Sequence, residues 1–188
     1  MNLKIITSTT RDVSLGIKVA DWIYNFAREN SDFEVELLDL KKINLPFTNE
    51  PNHPSLGKYQ YEHTKEWSAR ISAADAFIIV LGEYNFGFPA PIKNAIDYLF
   101  HEWHNKPVAF VSYGGISAGL SSTQMLKQVL SALNMMPLTA QVNIPFFAKH
   151  FDAEKIFLPD EKIESSAKNV LLELHKWSET LKQLRENN

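Results

Sequence analysis

Hydrophobic positions in this chain follow two rhythms, and each predicts a different element. The chain opens on Leu3-Lys4-Ile5-Ile6, an apolar run too short for a helix that reads as a buried strand. Polar residues Thr7–Asp12 follow. Ser14 then reads as the N-cap of a helix whose Val19, Ile23 and Phe26 recur three or four apart. Phe33, Val35 and Leu37 alternate with acidic residues and predict a second strand. Residues 41–58 hold three prolines with Asn and Gly, which reads as a long loop. From about Tyr59 a helix carries Trp67 and Ile71 on one side, and Ala76–Leu81 is a continuously apolar strand suited to the middle of a parallel sheet. Residues Gly82–Phe88 form a loop into a helix opened by Pro89, with Ile92, Ile96, Leu99 and Trp103 as its inner face. Pro107–Val111 is the next strand, followed by a turn bearing Gly114, Gly115 and Gly119. A helix marked by Met125, Val129 and Leu133 and a strand over Leu138–Ile144 come after it. Residues 145–160 are irregular. The last helix repeats Ile163, Ala167, Val170, Leu174, Trp177, Leu181 and Leu184, the stripe of a helix lying on a sheet.

Strands and helices therefore alternate five times, which predicts one α/β domain over residues 1–188. Its parallel sheet would carry helices on both faces, in a three-layer sandwich. Five strands suit the doubly wound order 2-1-3-4-5, whose ligand crevice lies at the C-terminal ends of strands one and three. The loops after strands one, three and four all fall at that end.

Composition narrows the classes. A net charge of -3, with no basic stretch interleaved with aromatics, argues against nucleic acid as a partner. Without a cysteine there is no disulfide, thiol nucleophile or Cys-ligated metal. No apolar run approaches the ~18 residues of a membrane span and nothing reads as a signal peptide, so the expected location is the cytoplasm.

The first loop, Ser8–Gly16, brings hydroxyls, the Arg11 guanidinium and helix N-terminal amides together, as a phosphate cradle requires; an ordinary capped turn is the plain alternative. It has neither the Gly-Lys-Ser/Thr of a P-loop nor the spaced glycines of a dinucleotide fingerprint. The second, Gly82–Pro89, is polar and aromatic and suits a flat heterocycle with polar edges, although Tyr84 and Phe86 would also fill a gap between loop and helix. The third, Ser112–Gly119, lets backbone approach a ligand. It also contains Gly115-Ile116-Ser117-Ala118-Gly119, which matches the nucleophile elbow of serine hydrolases, with Asp152 or Asp160 and His175 as triad partners in chain order. His175 lies inside the last helix, which weighs against that reading. His101-Glu102-Trp103-His104 is one residue short of a zincin motif, so no metal site is assigned. His150 and Asp152 sit among Phe146, Phe147 and Phe151, as in a packed loop or interface, and Lys93 and Asn94 read as solvent-facing.

Together the loops resemble the NADPH-dependent FMN reductase family, flavodoxin-like proteins that include chromate, quinone and azo reductases. Ser8-Thr9-Thr10-Arg11 resembles the family's Gly-Ser-Thr-Arg phosphate loop. Glu83-Tyr84-Asn85, the following Pro and Lys93-Asn94-Ala95-Ile96-Asp97 resemble its Pro-Glu-Tyr-Asn loop and tail, and Tyr113-Gly114-Gly115 its Tyr-Gly-Gly stretch. The likeness runs from Leu3 to about Ile144. Ser8 replaces the family's usual Gly, Thr9 its Ser and Gly82 its Pro. The resemblance implies that Thr9, Arg11, Ser14 and Gly16 hold the FMN phosphate. It implies that Glu83, Tyr84, Asn85 and Phe86 contact the isoalloxazine and that Tyr113, Gly114 and Gly115 approach its pyrimidine edge. It further implies ping-pong hydride transfer from NAD(P)H through FMN to a small acceptor, with no side chain acting as acid, base or nucleophile. A homodimer or homotetramer is implied too, with Phe88, Phe100, Trp103 and the Phe146–Phe151 cluster as candidate interface aromatics. A non-enzymatic flavodoxin-type electron carrier is the remaining alternative.

Overall fold

The computed structural model describes residues 1–186. Five parallel strands form one sheet in the order β2-β1-β3-β4-β5, with β1 at Asn2–Thr7, β2 at Glu34–Asp39, β3 at Ala76–Leu81, β4 at Pro107–Tyr113 and β5 at Met136–Ile144. The helices are α1 (Gly16–Asn30), α2 (Leu40–Ile43), α3 (Glu62–Ser72), α4 (Ala90–Asp97), α5 (Leu120–Ala132) and α6 (Glu161–Glu186). The expected flavodoxin-like order is thus observed. The short α2 is additional, at the start of the stretch read as loop: Asp39 accepts the Lys41 N–H at 3.0 Å, and left-handed Asn44 ends the turn.

Alternation along each strand divides the core in two. Leu3, Ile5, Ile78, Val80, Ala109 and Val111 pack against α1 and α6 on one face. Ile6, Phe77, Ile79, Leu81, Val108 and Phe110 pack against α3, α4 and α5 on the other. β3 is buried along its whole length, as a central strand covered on both faces must be.

Four local expectations change. Pro89 is the N-cap of α4 rather than part of its first turn, and Pro91 lies within that turn. The α4 helix stops at Asp97, so Leu99 and Trp103 are buried beyond it, Trp103 in a short 3-10 turn over His101–Trp103. The buried indoles of Trp67 and Trp103 donate to the carbonyls of Ala95 (2.8 Å) and Ile96 (3.1 Å). Trp103 is therefore core, tilted against Phe77 with 5.2 Å between ring centroids, and not an interface aromatic. On α5 the buried face is Ser122, Thr123, Leu126 and Leu130, while Met125 is exposed. The predicted stripe is off by one position because Ser122 and Thr123 satisfy their hydroxyls on the Gly119 carbonyl and so can be buried. Asn94, half-buried, does more than face solvent: it donates to Pro46 O at 2.7 Å and accepts from Thr48 N–H at 3.0 Å, tying down the loop after α2.

Candidate functional site

The loops after β1, β3 and β4 close around a cleft of about 280 Å³ at the C-terminal ends of the strands, lined by Arg11, Val13, Ser14, Leu15, Gly16, Gly82, Glu83, Tyr84, Tyr113, Gly114 and Phe147. Most residues assigned from sequence to three separate loops thus meet in one place. Thr9 lies just behind the lining, buried, and its hydroxyl bonds Ser14 Oγ at 3.1 Å. Asn85, Phe86 and Gly115 are exposed at the rim.

In the first loop the backbone leaves donors free. Among the described residues the N–H groups of Thr10, Arg11, Asp12, Val13 and Leu15 take no hydrogen bond. Ser14 sits one residue before the N-cap of α1; its Oγ accepts from both Thr9 and the Gly16 N–H (3.1 Å each) and also bonds the Tyr113 phenol. Arg11 has no carboxylate partner among the described residues; its guanidinium reaches only Tyr84 Oη, at 3.4 Å. At the base of the loop Ser8 Oγ is buried without a partner. Unpaired amides at a helix N-terminus, beside a guanidinium with no carboxylate partner among the described residues, are donors a phosphate monoester needs.

The second loop is strained. Asn85 and Phe86 both hold positive φ (50° and 66°), closed by reciprocal bonds between Tyr84 and Gly87 at 2.9 and 2.8 Å. Left-handed conformation in a non-glycine residue costs of order 1 kcal/mol. Among the described residues the amides of Asn85 and Phe86 have no hydrogen-bond partner. Tyr113 explains two glycines. Its phenol is buried between them: a Cβ at Gly16 would stand 2.0 Å from the hydroxyl, and one at Gly82 3.1 to 3.3 Å from the phenol. Burial pushes the Tyr113 pKa up to about 12, so the phenol is neutral and a donor across the ordinary pH range. The Gly82 carbonyl accepts from Ser122 Oγ at 3.0 Å, which ties the start of this loop to α5.

Phe147 is the site residue that sequence reasoning placed elsewhere. Its ring lies 5.0 Å from Tyr113, and the N–H groups of Phe146 and Phe147 donate to Gly115 O (2.8 Å) and Gly114 O (3.1 Å). The available signal was the Phe146-Phe147-Phe151 cluster directly after the last strand.

The serine-nucleophile reading lacks its geometry. The positive φ values fall on Ala118 and Gly119 rather than on Ser117, and the Ser117 hydroxyl donates to Glu83 Oε1 at 3.0 Å. His175 lies on α6 against Phe33, just before β2, and pairs with Glu179. Asp152 accepts the Ile156 N–H at 2.7 Å, and His150 rests against Phe157 in a packed loop. In the His101–His104 stretch Glu102 accepts from Tyr59 and Ser68, and no group of three metal-ligating side chains occurs among the described residues.

The sequence profile of NADPH-dependent FMN reductases matches residues 1–149. The chain belongs to that family. Its cofactor is FMN and its members are oxidoreductases. Similar curated proteins include an NAD(P)H-dependent FMN reductase of Schizosaccharomyces pombe, 39% identical over 133 residues, covering 70% of this chain and 66% of that protein. Another is its namesake in Saccharomyces cerevisiae, 33% identical over 147 residues, covering 72% and 76%. Among solved structures the flavoenzyme NAD(P)H:(acceptor) oxidoreductase FerB of Paracoccus denitrificans superposes with a TM-score of 0.75 at 22% identity, covering 95% of this chain and 97% of that one. At that identity the likeness speaks for the fold. The end of the family match at residue 149 agrees with the point where the sequence motifs run out.

Proposed function

We propose that the chain is an FMN-dependent NAD(P)H oxidoreductase that passes hydride to a small acceptor, a quinone or a flavin. The carrying observation is the donor set of the first loop, with its free amides and an Arg11 that has no carboxylate partner among the described residues, in one cleft with the strained Asn85–Phe86 turn. Relatives named as quinone oxidoreductases, such as one in Arabidopsis thaliana, 35% identical over 113 residues, support the acceptor class.

In this reading Arg11, Ser14 and the loop amides neutralise and orient the phosphate. The amides of Asn85, Phe86 and Gly115 meet polar ring edges. Tyr113 and Phe147 wall the cleft and exclude water from one side of it. Thr9 positions Ser14, and Gly16 and Gly82 make room for Tyr113. When bound, FMN would supply the hydride chemistry between NAD(P)H and the acceptor, and the proposed kinetic order is ping-pong. No side chain of the cleft is required as acid, base or nucleophile. A homodimer or homotetramer and a cytoplasmic location complete the proposal. Exposed Val13, Phe86 and Ile116, one on each of the three loops, support the first.

The test is the visible spectrum of the protein after loading with FMN and desalting, for the wild type and for Arg11→Ala. Retained flavin, weakened about tenfold or more by the substitution as loss of a charge-assisted contact implies, is the expected result. Absence of flavin in the wild type, with no binding on titration, would sink the proposal. Steady NAD(P)H oxidation with a quinone then distinguishes an enzyme from an electron carrier.

A further inference from the structure

The side chain of Glu83 does something its place in the flavin loop does not suggest. Its carboxylate reaches across to the start of α5: Oε1 accepts from Ser117 Oγ at 3.0 Å, and Oε2 from the N–H groups of Ser121 (3.1 Å) and Ser122 (3.4 Å). The N-cap of α5 is Gly119, which has no side chain to cap with. Glu83, 38 positions before Ser121, therefore supplies both the cap and the negative charge that the positive end of the helix favours. Ser122 returns a bond to the loop, donating to Gly82 O at 3.0 Å. These bonds join the second and third loops, whose free amides border the cleft, and they account for the Gly-x-Ser-x-Gly stretch: Ser117 is a donor in the join.

We propose that Glu83 is a positioning residue for the cofactor, with two separable effects. It holds the Asn85–Phe86 turn in register with Gly114 and Gly115, and it neutralises the positive end of α5 beside the edge those glycines border. The proposal rests on the FMN reading above.

Glu83→Gln separates charge from geometry, since the amide keeps an acceptor for the two N–H groups and a donor for Ser117 Oγ. Glu83→Ala removes both. Three quantities are measured on the full chain: hydrogen exchange at Ser121 and Ser122 without FMN, the FMN dissociation constant, and the midpoint potential of bound FMN. The alanine variant is expected to exchange faster at both serines and to bind FMN about tenfold more weakly, the effect of losing a cap and a loop tie. The glutamine variant is expected to bind within about threefold of wild type. Its midpoint potential should nevertheless rise, because the uncovered helix end favours the more negative reduced cofactor.

Unchanged exchange or unchanged FMN affinity in Glu83→Ala overturns the positional role. An unmoved potential in Glu83→Gln overturns the electrostatic one, and decides the matter if the alanine variant does not fold. Wild-type protein that holds no FMN removes the proposal together with the reading beneath it. A wild type that holds FMN, with variants indistinguishable from it, removes the proposal alone.

Discussion

At the scale of single residues the site is built on exclusions. Gly16 is held to glycine by the Tyr113 hydroxyl, 2.0 Å from where a Cβ would stand, and the phenol is buried and cannot swing out freely. Gly16→Ala is therefore expected to destabilise the protein by about 1–3 kcal/mol, the usual cost of overpacking, and to weaken FMN retention. Adding Tyr113→Phe should restore part of the loss by removing the nearest atom. Thermal unfolding of the single and double variants checks this, and equal melting temperatures for Gly16→Ala and wild type would refute the contact. The resemblance of the loops to a known family named Gly16 and Tyr113 as site residues. That they oppose each other was not legible, since they lie on different loops and meet only when β1 and β4 sit on either side of β3.

At the scale of elements, helix ends are satisfied by residues from distant strands, as Glu83 illustrates at α5. Lys106, just before β4, does the same for α3: its buried Nζ donates to the C-terminal carbonyls of Ile71 (2.8 Å) and Ser72 (3.0 Å). Burial, with Arg185 nearby, pushes its pKa down to about 8. The sign follows from the two states. Between pH 8 and about 10.5 the folded protein has released this proton while the unfolded chain keeps it, so the group's contribution to stability rises with pH across that window. Below pH 8 both states carry the charge and the contribution is constant. Denaturant unfolding at pH 7.5 and 9.5 should show wild type gaining stability relative to Lys106→Met at the higher pH. A difference that does not depend on pH would refute the depressed value. Element boundaries and types were legible along most of the chain because periodicity is a local signal. The buried face of α5 was not, because partners on Gly119 and Gly82 make its serine and threonine fit for the core.

At the scale of the whole molecule, the loops at the cleft end of the sheet carry apolar side chains that stand exposed among the described residues. Val13, Phe86 and Ile116 are 82%, 74% and 84% exposed around the opening. Exposed large apolar side chains on the three loops are the kind of surface another protein chain covers. Sedimentation velocity is expected to show at least a dimer, and Phe86→Asp or Ile116→Asp should shift it toward monomer. A wild type that sediments as a monomer at micromolar concentration would remove the oligomer from the proposed function. Among the described residues no helix is long and apolar enough to cross a membrane.

The sequence by itself determined the alternation of strands and helices, the doubly wound order, and the loops that meet at the cleft. Each follows from patterns a few residues long combined with right-handed parallel crossovers. Which side chains those loops turn toward the cleft, and which they give to each other, depends on contacts between distant parts of the chain. Glu83 capping α5, Ser117 bonding Glu83, Phe147 walling the cleft, Trp103 entering the core and Asn94 holding the loop after α2 are contacts between residues far apart in the chain. Their partners exist only once the sheet has closed, so no local pattern could encode them.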